Sequence, residues 1–285
     1  SFHYLAEGNV NHELSYYPYI DTLADAEELP DVIVSADINS FFHHRFTRRF
    51  VDTGLFRSLN SPALNADVRE TGFLDPDRHF TMLSANLLVL VVNRAKLGDL
   101  EIPKRWADLL EPRYHKTVTM RGQDGFFCNG VLMPFYQMFG MDGIKAMGGS
   151  VIRGLHPAEM VQEIERNAPE STPFYIMPLF FAKRLKDETL FDIVYPEEGA
   201  IVSPVVMLVR AERVDDAAAV AEFIAGREMS QFCADAGFPS VRPDVDNRLP
   251  DGCRLWWMGW DFLKNEDPAE VKDNIELVFR EYVAK

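Results

Sequence analysis

The chain has 285 residues, long enough for two compact units, and its 47% hydrophobic and 26% charged residues match a soluble globular protein. A formal net charge of -15 argues against nucleic acid, whose phosphates select basic partners; it mildly favours cationic or metal ligands, although a solvated acidic surface is the commoner meaning of such a number. No stretch approaches the roughly 18 uninterrupted apolar residues of a membrane span.

In chain order, Phe2–Ala6 reads as a strand of the first unit, and Asp31–Ser35 as another. A helix over Asn39–Phe50 follows, with Asn39 or Ser40 able to cap it. Phe80–Leu83 and Leu87–Val92 are extended. The unbroken apolar run Leu87-Leu88-Val89-Leu90-Val91-Val92 suits a strand buried on both faces. Thr117–Met120 is strand-like and meets Arg121-Gly122-Gln123-Asp124-Gly125, after which Asp124–Phe139 reads as helical despite Pro134. Pro157–Arg166 is a helix with proline in its first turn, where the missing N–H has no partner to lose. Phe174–Met177 is a strand, Leu179–Lys186 a helix and Phe191–Tyr195 a strand. Ile201–Val209 is a second long apolar run, then come helices over Val214–Ile224 and Pro268–Val283. Such alternation predicts α/β layers with a largely parallel sheet. Cys128, Cys233 and Cys253 have no metal-ligand spacing; buried free thiols are expected, with a Cys233–Cys253 bridge as the alternative in an oxidising compartment.

The segment from Leu87 to Gly122 carries more than composition. An apolar strand, Asn93-Arg94, a linker, Pro103-Lys104-Arg105-Trp106-Ala107-Asp108-Leu109-Leu110-Glu111-Pro112, a second strand and Arg121-Gly122 stand in order. Together with Tyr195-Pro196-Glu197-Glu198-Gly199-Ala200-Ile201-Val202-Ser203-Pro204, with Leu29–Ser35 and with Arg153–Met160, this pattern resembles the solute-binding proteins of ABC importers. Within them it looks most like the branch that includes ferric-iron binders. The resemblance implies a two-lobed α/β protein of the type II periplasmic-binding-protein fold, with mixed sheets and crossing strands. On that basis residues 1–86 plus 203–285 form lobe one and 93–202 lobe two, with hinges near 86–92 and 200–206. It further implies a periplasmic or extracellular location, a membrane permease as partner, and a small cargo: ferric iron, a metal chelate or a small anionic solute. The family's usual opening strand and helix have little sequence here. This implies an incomplete first lobe open to self-association.

Ligands of open α/β sheets sit beyond the carboxyl ends of strands. That rule selects Ser35, Asp37 and Asn39, then Ser84 and Asn86, and in the other lobe Arg121, Gln123, Tyr175 and Glu198. Arg121-Gly122-Gln123-Asp124-Gly125 is the best of these: glycine lets backbone N–H groups approach, and Arg121 offers planar bidentate donors to a carboxylate or phosphate. The competing reading leaves Arg121 solvated and Asp124 as a helix cap. On the site reading, Arg121→Ala weakens anion binding by about 1.5–3 kcal/mol and leaves ligand-free stability nearly unchanged.

Metal ligands stay unassigned. The related iron binders use a close tyrosine pair, and Tyr16-Tyr17 lies far from any expected cleft loop. His43 and His44 would point about 100° apart on a helix, and Trp256, Trp257 and Trp260 fit a core-facing turn better than an aromatic wall for a cation. No cofactor and no catalytic residue is expected, because no Gly-x-Ser-x-Gly, phosphate-loop or His-Glu-x-x-His motif occurs. A small-molecule-processing enzyme on the same two-lobed scaffold is the alternative.

Overall fold

The computed structural model describes residues 3–6, 16–123 and 126–283. Among the described residues nine strands form one continuous sheet: β1 (Val32–Ala36), β2 (Thr81–Asn93), β3 (Val118–Gln123), β4 (Phe126–Phe127), β5 (Val151–Leu155), β6 (Phe174–Pro178), β7 (Phe191–Val194), β8 (Ala200–Val209) and β9 (Leu255–Trp256). The α-helices are α1 (Tyr16–Thr22), α2 (His44–Phe46), α3 (Asn129–Ser150), α4 (Pro157–Glu165), α5 (Leu179–Ala182), α6 (Val214–Ala225), α7 (Arg227–Asp235), α8 (Trp260–Asn265) and α9 (Pro268–Val283).

β2 organises the molecule. The expected pair of extended segments is one strand of 13 residues. Its first part pairs antiparallel with β8, from Thr81 opposite Met207 to Leu88 opposite Ile201. Its last part, Leu88–Val92, pairs with β6, and Leu90–Asn93 pairs with β7. One half of the sheet is therefore β1, β8 and the start of β2; the other is the end of β2 with β6, β3 and β5. Leu87 through Val92 are at most 1% exposed, which explains their uniform apolarity.

Several expectations are corrected. The sheet is mixed, not largely parallel: parallel pairing is confined to β3–β5, β3–β6 and β8–β9, and every pairing of β2 is antiparallel. Apolar runs report burial on both faces but carry no information about strand direction. Residues 3–6 lie outside the sheet and are exposed, so no first-lobe strand forms there; Phe2 lies outside the described residues. The expected helix over 39–50 breaks into a 3-10 turn at Ser40–Phe42, α2 and a π-helical turn at Thr47–Val51. Its closely spaced aromatics bury in several directions, with Phe41, Phe42, Phe46 and Phe50 all in the core. α3 starts at Asn129 because Phe126–Phe127 turns back on β3 as a short hairpin, and a left-handed Gly140 kinks it. α5 spans only Leu179–Ala182.

The cysteines are free thiols, with Cys128 buried and Cys233 and Cys253 half-buried, so the structure shows no Cys233–Cys253 bridge. Trp257 and Trp260 are buried; Trp260 packs on Phe80 and donates its indole N–H to Phe73 O. Among the described residues no helix is long and apolar enough to cross a membrane.

Candidate functional site

The two halves of the sheet meet where β1 ends. Asp37 follows β1 with φ 75°, a left-handed conformation that aspartate tolerates better than most residues. Its backbone N–H donates to Pro204 O of β8 at 2.9 Å, and Ser203 Oγ donates to Oδ1. Arg121 of β3 reaches it from the other half, Nη1 to Oδ2 at 3.1 Å, with side chains 9% and 18% exposed. Arg121 is therefore neither solvated nor free to act on an anion alone. Asp37 also lies against the start of α3: a Cβ on Gly130 would stand 2.7 Å from Oδ1, so only glycine leaves the carboxylate its place.

Charge is concentrated here. Burial opposes the Arg121 charge, but Cys128 and Asp37 outweigh it and raise its pKa, so the guanidinium stays protonated at any ordinary pH. Burial pushes the Cys128 thiol up to about 11, against the lowering effect of Arg121. Cys128 is a buried neutral thiol at neutral pH, not a nucleophile.

Behind Asp37, the amide of Asn39 donates to Ser35 Oγ at 2.7 Å, Ala36 O at 2.8 Å and Tyr17 Oη at 2.9 Å. The Asn39 side-chain oxygen accepts from Phe41 N, which caps the following turn. Burial raises the Tyr17 pKa, opposed by the Ser35 contact and reinforced by Asp37. Tyr17 thus belongs to the cluster after β1, although it stands near the start of the sequence. Its phenol remains protonated and engaged. The side chain of Tyr16 lies outside the described residues.

Beside Arg121 is a cavity of about 80 Å³ lined by Asn86, Arg121, His156, Pro157, Pro178, Phe180, Phe181 and Phe238. It is reached from both halves. Asn86 is on β2 at the shared waist, His156 and Pro157 open α4, Phe180 and Phe181 are in α5, and Phe238 precedes the Ser240 bridge to Ser84. Asn86 Oδ1 is buried without a protein partner. A buried amide end without a partner is rare enough in native proteins to need a cause. His156 Nδ1 accepts from Ala158 N at 3.2 Å, which leaves the proton of the neutral ring on Nε2 as a donor.

The structure separates the remaining sequence candidates by role. Ser84 is buried within β2, opposite Ser240. Tyr175 is corrected from ligand to core: it is 0% exposed, accepts from Thr172 N at 3.0 Å and donates to Glu163 at 3.1 Å. β6 is buried along its whole length, so its tyrosine finds a partner inside rather than in a cleft. Glu198 is corrected to a cap, accepting from Trp106 N at 3.0 Å and Ala107 N at 3.2 Å. Gln123 ends β3, but its side chain and Asp124 lie outside the described residues. His44 is buried between Leu263 O and Arg48, while His43 pairs with Asp21, so the two histidines do not converge. Among the described residues, no group of three His, Cys, Asp or Glu could hold a metal.

His156, Phe180, Phe181 and Phe238 were not selected by sequence reasoning. The first three do follow the strand-end rule, because they come directly after β5 and β6. Phe238 has no local signal.

Comparison with known proteins agrees with this architecture. Among solved structures, an ABC transporter protein from Clostridium perfringens matches with TM-score 0.66 at 14% identity, over 93% of this chain and 87% of that one. A Trichodesmium protein (IdiA, FutA) in complex with iron and citrate matches with TM-score 0.66 at 12% identity, over 94% and 87%. The Bordetella ferric binding protein matches with TM-score 0.64 at 15% identity, over 90% and 84%. These likenesses establish a two-lobed periplasmic-binding fold of type II. No curated protein matches the sequence. The model of the bacterial extracellular solute-binding proteins matches residues 27–266, and the chain belongs to that family.

Proposed function

We propose that this protein is the extracytoplasmic solute-binding component of an ABC importer, capturing a small anionic solute between two lobes and delivering it to a membrane permease. The lobes are residues 1–86 with 203–285, and 93–202; the hinges lie near 86–92 and 200–206. The observation that carries the reading is the Arg121–Asp37 contact between the sheet halves, directly beside a cavity lined from both. Solute contacts from both lobes stabilise the closed form, so binding and closure are one equilibrium.

Of the three cargoes considered, the donor set favours the anion. A bare ferric ion takes hard oxygen ligands, and among the described residues no carboxylate or phenol lines the cavity. Arg121 and His156 instead present hydrogen-bond donors, which suit carboxylate or phosphate oxygens.

Native mass spectrometry with elemental analysis of the purified protein tests this reading. A co-purifying anionic metabolite that compacts the solution-scattering profile on re-addition is expected. A stoichiometric metal ion with no organic anion overturns the cargo. A scattering profile unchanged by a solute shown to bind overturns hinge closure.

A further inference from the structure

The cavity beside Arg121 has a second chemical character that bears on which anion it takes. One wall is aromatic and is assembled from both halves of the molecule. Phe180 packs edge-on against Phe181 with centroids 5.0 Å apart, and Phe238 crosses to Phe180 at 5.4 Å. The His156 ring stands edge-on to Phe181 at 5.7 Å. Arg184 lies over Phe180, 4.5 Å from the ring centroid, and so holds that ring from the side.

Phe180, Phe181 and Phe238 are all only half-buried, although apolar rings of this size are normally withdrawn into a core. The backbone also keeps this wall closely fitted. A Cβ on Gly237, which has φ 99°, would come within 3.2 Å of Phe180 N, so the Phe238 segment sits directly on α5. The polar groups gather separately, with Arg121 and Asn86 both lining the same space and Asn86 Oδ1 left without a protein partner. A site for inorganic phosphate or a small hydrophilic acid has no use for three phenylalanines. A site for a purely apolar molecule would not hold a buried arginine and an unpartnered amide.

We propose that the cleft takes a small planar organic anion, its charged group toward Arg121 and His156 and its unsaturated body against Phe180, Phe181 and Phe238. This rests on the cavity being the solute site. Asp37 limits the charge the site can accept. It already neutralises Arg121, so a singly charged carboxylate is matched by the remaining guanidinium N–H groups and His156 Nε2–H.

Isothermal titration of the full chain, freed of co-purifying solute, with benzoate, acetate, inorganic phosphate and ferric citrate tests the proposal. Benzoate is expected to bind at least about tenfold more tightly than acetate or phosphate. Phe180→Leu and Phe238→Leu, which keep apolar volume and remove a ring face, are each expected to cut benzoate affinity about tenfold and leave acetate unchanged. Acetate or phosphate binding as tightly as benzoate overturns the aromatic wall while leaving the anion-binding function intact. Ferric citrate binding with benzoate excluded overturns both. Binding of no probe in the panel overturns the proposed solute class. Should one leucine variant fail to fold, the other decides alone, because the two residues come from opposite halves of the sheet.

Discussion

Arg121–Asp37 and Arg153–Glu163 are both arginine–carboxylate pairs largely withdrawn from solvent, and they sit in different company. Arg153 (β5) meets Glu163 (α4) at 2.7 Å within one half of the sheet. Glu163 also accepts from Tyr175, Thr172 donates to Thr119, and Arg153 reaches Glu170 O. Arg153 is 30% exposed, and all its partners come from the same half of the sheet. Arg121 meets Asp37 across the waist instead, and Arg121 also lines the cavity. Burial and pairing therefore do not identify a site by themselves. What separates the two pairs is whether the partners come from different halves and whether one of them borders open space.

The largest effect should follow from breaking the waist pair. Arg121→Ala leaves the Asp37 carboxylate with Ser203 and without its counter-charge. A loss of about 2–4 kcal/mol of stability in urea titration is expected, together with lost anion affinity. This revises the expectation that ligand-free stability would hardly change, which held only for an unpaired arginine. The double variant Arg121→Met with Asp37→Asn should recover most of the stability and none of the anion binding. Recovery of both would make the pair purely structural.

The waist should also have its own pH signature. The Cys128 thiol is held at about 11 against an ordinary 9, with burial as the main cause. The folded form thus favours the protonated thiol. Its contribution is fully present below pH 9 and is lost as pH rises from 9 to 11. Thermal melts should fall across that window in the wild type, and fall less in Cys128→Ala. Parallel curves would show that other groups control alkaline unfolding.

Glu163→Gln sharpens the contrast. It keeps hydrogen-bond acceptors for Arg153 and Tyr175 and removes the charge, so a loss of about 1–2 kcal/mol is expected with solute affinity unchanged. A change in affinity would extend the site into the second half's interior. The smallest effect belongs to Glu198→Ala. Losing its two backbone contacts at Trp106 and Ala107 should cost about 1 kcal/mol, as for other helix caps, without moving affinity.

Much of the fold is legible in the sequence, because burial on both faces leaves uniform apolar runs at β2, β6 and β8, and α4 announces itself by Pro157. α9 falls on Pro268–Val283 because its apolar residues recur on one face. Strand direction was not legible: β1 pairs with β8 across most of the chain, and nothing local to Val32–Ala36 encodes that partner. β5 was missed because Val-Ile-Arg-Gly-Leu is short, polar in its middle and only partly buried.

The strand-end rule selected Arg121, Asn86 and Asp37, which lie at or next to the candidate cavity, but could not tell that Asp37 would face Arg121. The same rule misplaced Tyr175 and Glu198, because a buried phenol and a capping carboxylate look like ligands when their partners are unseen. Phe180 and Phe181 fell within the helix expected over Leu179–Lys186 and were not singled out. Only their partial exposure in three dimensions marks them out.

The sharing of β2 between both halves also sets the order in which the molecule can assemble as it is synthesised. β3, β5 and β6 are complete soon after β2 emerges, so the second half can close around Leu88–Val92 early. β1 and the start of β2 must wait for β8, whose pairing with them is the longest-range in the sheet. Non-local pairings of this kind form slowly and leave strands uncovered in the interval. The chain therefore stays unfinished, and open to chaperones, until its last third appears. In pulsed hydrogen exchange during refolding, the β3 and β6 amides should gain protection before those of β1; simultaneous protection would mean that the sheet forms as one unit.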